Sequence, residues 1–334
     1  FVLNVVFGQV EADVAAYANT YYMIVEASIP FLALYSAGAA LFRVMGNSGT
    51  SMWVSTAMNA INVVGNGILI FVFHRGVEGV AIPTLVSRIF AAAAMLVLLR
   101  RPGLPIQVER FTFRHDRFVV KNILHFGVPN GIEGSMFQLG KILLLSTVSV
   151  LGTASVAANA IGNTLASFQV VPGTALGLAI VTVVSRCVGA SEYDRARYYT
   201  KKMMRTAYLY TVLVIALILA CLPLILKLYN VSDQAREWAT QILWMHGLCG
   251  ILIWPLAFTL PQALRAAGDT RFTMVASTVS MWTLRVGLGV LLGRYWGFGV
   301  LGIWMAMFAD WALRAALFVP RFHGHKWETM GLEN

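Results

Sequence analysis

Residues 206–228, TAYLYTVLVIALILACLPLILKL, run for 23 positions with one charged side chain, Lys227, near the far end. A helix needs about 20 predominantly apolar residues to cross the hydrocarbon core of a bilayer, so this stretch reads as a membrane span. A helix in a soluble protein shows a polar face, and this one does not. Comparable stretches follow one another in both directions. Of the 334 residues, 58% are hydrophobic and 12% charged, with a mean hydropathy of +0.71. Soluble domains are roughly a quarter charged, which leaves an all-α polytopic membrane protein as the class that fits.

A hydropathy window places nine spans at 14–42, 51–74, 78–100, 120–151, 154–186, 206–228, 235–264, 272–293 and 298–320. Turn chemistry at Gly46-Asn47-Ser48-Gly49, Arg101-Pro102-Gly103, Gly152-Thr153 and Gly268-Asp269-Thr270 separates them. Pro30, Pro129, Pro172 and Pro255 fall inside spans, where they imply bent helices around a cavity. Loop Lys and Arg residues collect on one side of this arrangement, 17 against 4, and the heaviest loops are 100–121 and 186–205. That bias puts the C-terminus in the cytoplasm of a cell (inner) membrane protein. The formal charge of +10 is therefore an orientation signal, and no nucleic acid partner is expected. Cys187, Cys221 and Cys249 lie too far apart for a redox or zinc motif and read as apolar filler, so no metal site is expected.

An internal repeat organises the spans. Ala40 to Ser48 (ALFRVMGNS) resembles Gln262 to Thr270 (QALRAAGDT), so that Arg43 matches Arg265 and Gly46 matches Gly268. Without a gap the same shift of 222 residues pairs Met52 with Met274, Ser55 with Ser277, Thr56 with Thr278, Gly65 with Gly287 and Gly67 with Gly289. Repeats of this size are typical of transporters, in which two related bundles move about a site. The expectation is two six-helix bundles in a twelve-helix parent, present here as an N-terminally truncated chain in which Phe1 to Phe7 closes the third helix. The division is then 1–100 for an incomplete first bundle, 101–119 for a cytoplasmic linker, 120–320 for the second bundle and 321–334 for a cytoplasmic tail.

Several segments resemble the multidrug and toxic compound extrusion (MATE) family. They are the Arg-x-x-Gly turns at Arg43 and Arg265, the helix bearing Asn59, Asn62 and Asn66 followed by Gly76-Val77-Glu78-Gly79-Val80-Ala81, and Phe126-Gly127-Val128-Pro129. Ala157-Ala158-Asn159-Ala160-Ile161, Pro172 to Gly177 and Arg186 to Ala190 add to them. The resemblance implies export of small amphipathic organic cations in exchange for H+ or Na+, with no other cofactor, by a monomer in the lipid bilayer. It also implies where the sequence departs from the pattern. The span at 154–186 contains no Asp or Glu and that at 235–264 has only Glu237 at its start, so a sodium site built from a carboxylate cluster is not expected there.

Ionisable groups inside a bilayer are costly, which makes each a functional candidate. Glu133, Gln138 and Lys141 share the fourth span after the Pro129 bend, and Glu133 is the leading candidate for binding the coupling cation or the substrate. In the competing structural reading Lys141 neutralises it. Glu26 precedes Pro30 as a second protonatable candidate. Asn59 and Asn62, with Asn66, form one helical stripe, and Asn159 and Asn163 lie one turn apart; either set lines a cavity or joins helices. His246 is a candidate proton relay or a packing residue. Asp310 and Arg314 are four residues apart, and with Arg285 from the preceding span they form a structural ion cluster. Two alternatives stay open: an exporter of a lipid-linked oligosaccharide, which needs a basic cavity, and an integral membrane enzyme such as a prenyl transferase, which needs clustered carboxylates.

Overall fold

The computed structural model describes residues 12–107 and 116–329. The helix end expected at Phe1 to Phe7, Arg110 and Arg114 of the basic linker, and the last five residues of the tail lie outside the described residues. Among the described residues every regular element is helical, and the chain divides into two compact units, Phe1–Arg114 and His115–Asn334.

The first unit contains α1 (Ala12–Ala27), α2 (Ile29–Val44), α3 (Ser48–Gly67) and α4 (Glu78–Leu98). One apolar span, Asp13–Val44, covers α1 and α2 and is interrupted at Ser28. Pro30 sits in the first turn of α2, where a missing N–H costs no helical hydrogen bond. Ser28 is fully buried at this break, and Arg88 Nη1 of α4 donates to its hydroxyl at 2.6 Å. Arg88 is thus held by a hydroxyl and, among the described residues, by no acid. Helix α4 packs against α1, α2 and α3. Small residues let it approach closely: a Cβ on Gly38 would lie 2.9 Å from Met95 Cβ, and one on Gly65 would lie 2.8 Å from Pro83 Cβ.

The second unit contains α5 (Arg117–Val150), α6 (Thr153–Gln169), α7 (Val171–Gly189), α8 (Tyr193–Leu228), α9 (Asp233–Leu252), α10 (Pro261–Ala266), α11 (Thr270–Ser280) and α12 (Gly299–His323). Its apolar core has two parts, one around Ile161, Ile242, Leu243, Trp304 and Trp311, the other around Ile180, Leu264, Phe318 and Trp327.

Several expected spans take a different form. Among the described residues seven helices are long and apolar enough to cross a membrane, and the pair Asp233–Leu252 and Pro255–Ala266, bent by 60°, makes an eighth if it is counted as one broken span. The stretch expected at 154–186 is two helices, broken at Val170, with Pro172 in the first turn of α7. The stretch expected at 120–151 is one 34-residue helix that Pro129 does not break. Its charged residues Arg117, Lys121, Glu133 and Lys141 keep it out of the purely apolar group. The basic run after Arg186 is not a loop either. Arg195, Arg197, Lys201, Lys202 and Arg205 occupy the first turns of α8, whose 36 residues span about 54 Å, well beyond the hydrocarbon thickness. A hydropathy window cannot separate a loop from a water-exposed helical extension, because both are polar.

The 222-residue shift is visible in local geometry. Helices α3 and α11 begin at Ser48 and Thr270, which differ by that number, and Gly46 and Gly268 before them take φ of 82° and 97°. Both are left-handed positions that favour glycine. Helix α3 ends in a π-helical turn, Ile68–Val72, while α11 continues into π-helical segments Met281–Leu288 and Leu291–Tyr295. Residues 68–72 shifted by 222 fall within one residue of the last of these.

Candidate functional site

Two cavities in the second unit gather most of the polar span residues. The larger, about 660 Å³, is lined by Phe126, Glu133 and Phe137 of α5 together with Phe258, Gln262, Arg265 and Arg314. Glu133 stands one turn past Pro129, while Arg265 reaches the cavity because the chain bends after α9. At that bend Trp254 stacks on Phe258 with ring centroids 5.2 Å apart, and Thr259 Oγ1 donates to the Gly173 carbonyl at 3.0 Å. Gly173 is required here, since a Cβ would overlap the Trp254 ring. The redirected segment carries Arg265 to Glu133: its Nη2 donates to Oε1 at 2.5 Å, with the side chains 18% and 12% exposed. Glu133 Oε2 and Arg265 Nε are buried without a hydrogen-bond partner among the described residues.

The smaller cavity, about 420 Å³, is lined by Gln138 and Lys141 of α5, Asn159 and Asn163 of α6, Arg285, and Trp304 of α12. Asn159 is fixed in place: its Oδ1 accepts from Trp304 Nε1 at 3.1 Å, and its carbonyl accepts from Asn163 Nδ2 at 2.9 Å.

The ion cluster adjoins both. Asp310 is fully buried, and its Oδ1 accepts from Arg314 Nε at 2.8 Å and from Ser280 Oγ at 2.5 Å. Arg314 Nη2 also donates to the Ser277 carbonyl at 3.0 Å. Arg285 Nη1 stands farther off, 3.9 Å from Asp310 Oδ2. Phe137 faces both guanidinium groups, with Cζ 5.2 Å from its ring centre for Arg285 and 5.8 Å for Arg314.

Four of the residues singled out in the sequence, Gln138, Lys141, Asn159 and Asn163, thus share one cavity, and Glu133 stands in the other. Lys141 does not neutralise Glu133, contrary to the structural reading of that pair. Eight helical residues amount to two turns and an offset of about 80°, so the two side chains leave α5 in different directions. His246 is 3% exposed, with Nδ1 2.5 Å from Gln169 Oε1 and its ring edge-on to Trp304 and Trp311, which is the packing arrangement. In the first unit Asn62 Nδ2 donates to Thr84 Oγ1 at 3.0 Å and Asn66 Nδ2 to Asn62 Oδ1 at 3.2 Å, joining α3 to α4, while Asn59 and Glu26 are exposed. Sequence reasoning missed Arg265, which it counted as a turn cation. The Pro255 bend was the signal, but the direction of a bend is not written in composition.

Comparison with known proteins covers the same ground. The family model described as MatE matches residues 129–291, a stretch that contains Glu133, Lys141, Arg265 and Arg285. An uncharacterized transporter, YisQ, of Bacillus subtilis is 26% identical over 94% of this chain and 70% of its own length. A probable multidrug resistance protein, YoeA, of the same organism is 26% identical over 92% of this chain and 68% of its own length. A crystal structure of MATE in complex with MaD3S shares the fold with a TM-score of 0.83 at 17% identity, covering 94% of this chain and 71% of that one. The likeness extends through the span helices as well as the cavity-lining segments, and the family match, the probable multidrug resistance relatives and the shared fold together support a MATE family transporter of the membrane and not an enzyme.

Proposed function

We propose that the protein is a secondary active antiporter that exports small amphipathic organic cations in exchange for inward H+ or Na+, as a monomer in the cell membrane with its C-terminus in the cytoplasm. The observation that carries this reading is the Glu133–Arg265 pair at the wall of the larger cavity. A carboxylate in a bilayer needs a counter-charge, and here a single arginine supplies it while the second carboxylate oxygen has no partner among the described residues. Such a group has two exchangeable states, one held by Arg265 and one held by an arriving cation or proton. Antiport requires this alternation. Phe126, Phe137 and Phe258 around the carboxylate offer apolar and cation–π contact to an organic cation. The match to the MatE family model and the names of the relatives support drug export in general, and the 17-to-4 loop bias supports the orientation.

The test is transport of a fluorescent organic cation in membrane vesicles under an imposed pH or Na+ gradient, with parent protein and Glu133→Gln, which keeps the shape and removes the charge. Gradient-driven transport is expected to fall by an order of magnitude or more in the variant, with the pH or Na+ dependence flattened. Unchanged transport with unchanged ion dependence would assign Glu133 a structural role and move the exchange site elsewhere.

A further inference from the structure

The charges inside the second unit do not balance around the smaller cavity. Three acids inside the unit are already engaged, Glu133 by Arg265, Asp269 by Arg321 and Asp310 most closely by Arg314. Two cations among the described residues line the smaller cavity: Lys141 from α5 and Arg285 from the π-helical segment Met281–Leu288. Among the described residues no acid lines that cavity. Arg285 reaches Asp310 only at 3.9 Å, outside hydrogen-bond range, and its Nε is buried with no partner among the described residues. Lys141 makes no hydrogen bond or ion pair with any described residue. A guanidinium only 12% exposed in a low-dielectric setting is stable only with a counter-charge, and the carboxylate in reach is already bonded to Arg314. We propose that this cavity binds the anionic head of an amphipathic carboxylate.

The remaining walls fit such a ligand. Gln138 precedes Lys141 by three residues, so both project from one face of α5, and Gln138 together with Asn163 adds amide donors beside the two cations. Trp304 spends its indole N–H on Asn159, which leaves its ring as an apolar surface, and Met307 lies one turn farther along α12. At about 420 Å³ the space suits a small aromatic acid. Arginine matches a carboxylate through paired N–H donors, while lysine contributes a mobile point charge. A π-helical turn is often found where a side chain must be aimed at a functional site, and Arg285 occupies one. A bare inorganic anion would satisfy the charge but make no use of the apolar walls. This site stands apart from cation exchange at Glu133, and its test needs no gradient.

The experiment is equilibrium dialysis of radiolabelled 2-naphthoate against the protein in lipid nanodiscs, with empty nanodiscs as the blank and methyl 2-naphthoate as the neutral isostere. The acid is expected to bind saturably and at least about tenfold more tightly than the ester, and Lys141→Gln or Arg285→Gln is expected to weaken the acid by about tenfold or more without moving the ester. Lys141→Arg should restore binding. Lys141 is exposed, so its variants stay informative if Arg285→Gln fails to fold. Equal binding of acid and ester, or acid binding indifferent to Lys141→Gln, overturns the proposal. So does chloride that displaces the acid at millimolar concentration when it replaces gluconate, because the site would then belong to an inorganic anion.

Discussion

Asp310 is the single acid between two arginines, and replacing it with Asn removes the charge at nearly constant volume. The carboxylate is fully buried and Arg314 is 3% exposed, so the change leaves a guanidinium without its counter-charge inside the unit. Breaking a buried pair from one side costs about 3–5 kcal/mol. Arg314 keeps its bond to the Ser277 carbonyl and its position over Phe258 at 5.2 Å, and contacts of that kind retain about 1 kcal/mol. The net loss is then about 2–4 kcal/mol, or a fall in Tm of about 5–15 °C at roughly 2–4 °C per kcal/mol. The measurement is the monodisperse fraction surviving a temperature series in detergent, read by fluorescence size-exclusion chromatography. Geometry also ranks the rescues. Asp310→Asn with Arg314→Met should recover more than Asp310→Asn with Arg285→Met, because Arg314 is bonded at 2.8 Å and Arg285 stands at 3.9 Å. A Tm for Asp310→Asn within about 2 °C of the parent, less than 1 kcal/mol on the same scale, would falsify the claim that the cluster is structural.

Gly173→Ala drives a Cβ into the rigid Trp254 ring at the bend and is expected to cost about 1–3 kcal/mol in the same thermal assay, with relief when Trp254→Leu is added. At the tail, Trp327 is 1% exposed, stacks on Phe322, donates Nε1 to the Phe322 carbonyl at 2.9 Å and lies under Arg197. Trp327→Ala is expected to cost about 3–5 kcal/mol locally and to make residues 324–329 the first site of limited proteolysis. Burial pushes the Glu328 carboxyl up, but hydrogen bonds from His325 and Arg197 outweigh it and leave the group below its ordinary value of 4.5. A depressed carboxyl contributes stability that is complete above that ordinary value and is lost as pH falls through the folded-state value. Tail proteolysis should therefore rise below about pH 4.5 in an acid-active protease assay and be unchanged between pH 6 and 8.

Membrane residence, the helical class and the repeat were legible in the sequence because each depends on one-dimensional properties. Apolar runs such as 206–228 need only be long enough, and Gly46 and Gly268 mark equivalent turns because only glycine adopts their left-handed backbone freely. The Asp310–Arg314 contact was also legible, being one helical turn apart. Span form was less so. Polar helix and polar loop have the same composition, which hid the helical start of α8, and a proline signals a break without saying whether the chain bends by 60°, as after α9, or runs on, as through Pro129.

The pairing of charges between distant segments belongs to the tertiary structure alone. Sequence set the candidates Glu133, Lys141, Arg285 and Asp310, since a charge in an apolar run stands out by itself. Their partners depend on directions in space: the bend after α9 that delivers Arg265 to Glu133 across 132 positions, the offset along α5 that sends Lys141 to a different cavity, and the π-helical turn that sets Arg285 beside it. Coulomb attraction acts over a few ångströms of folded distance, not over sequence separation.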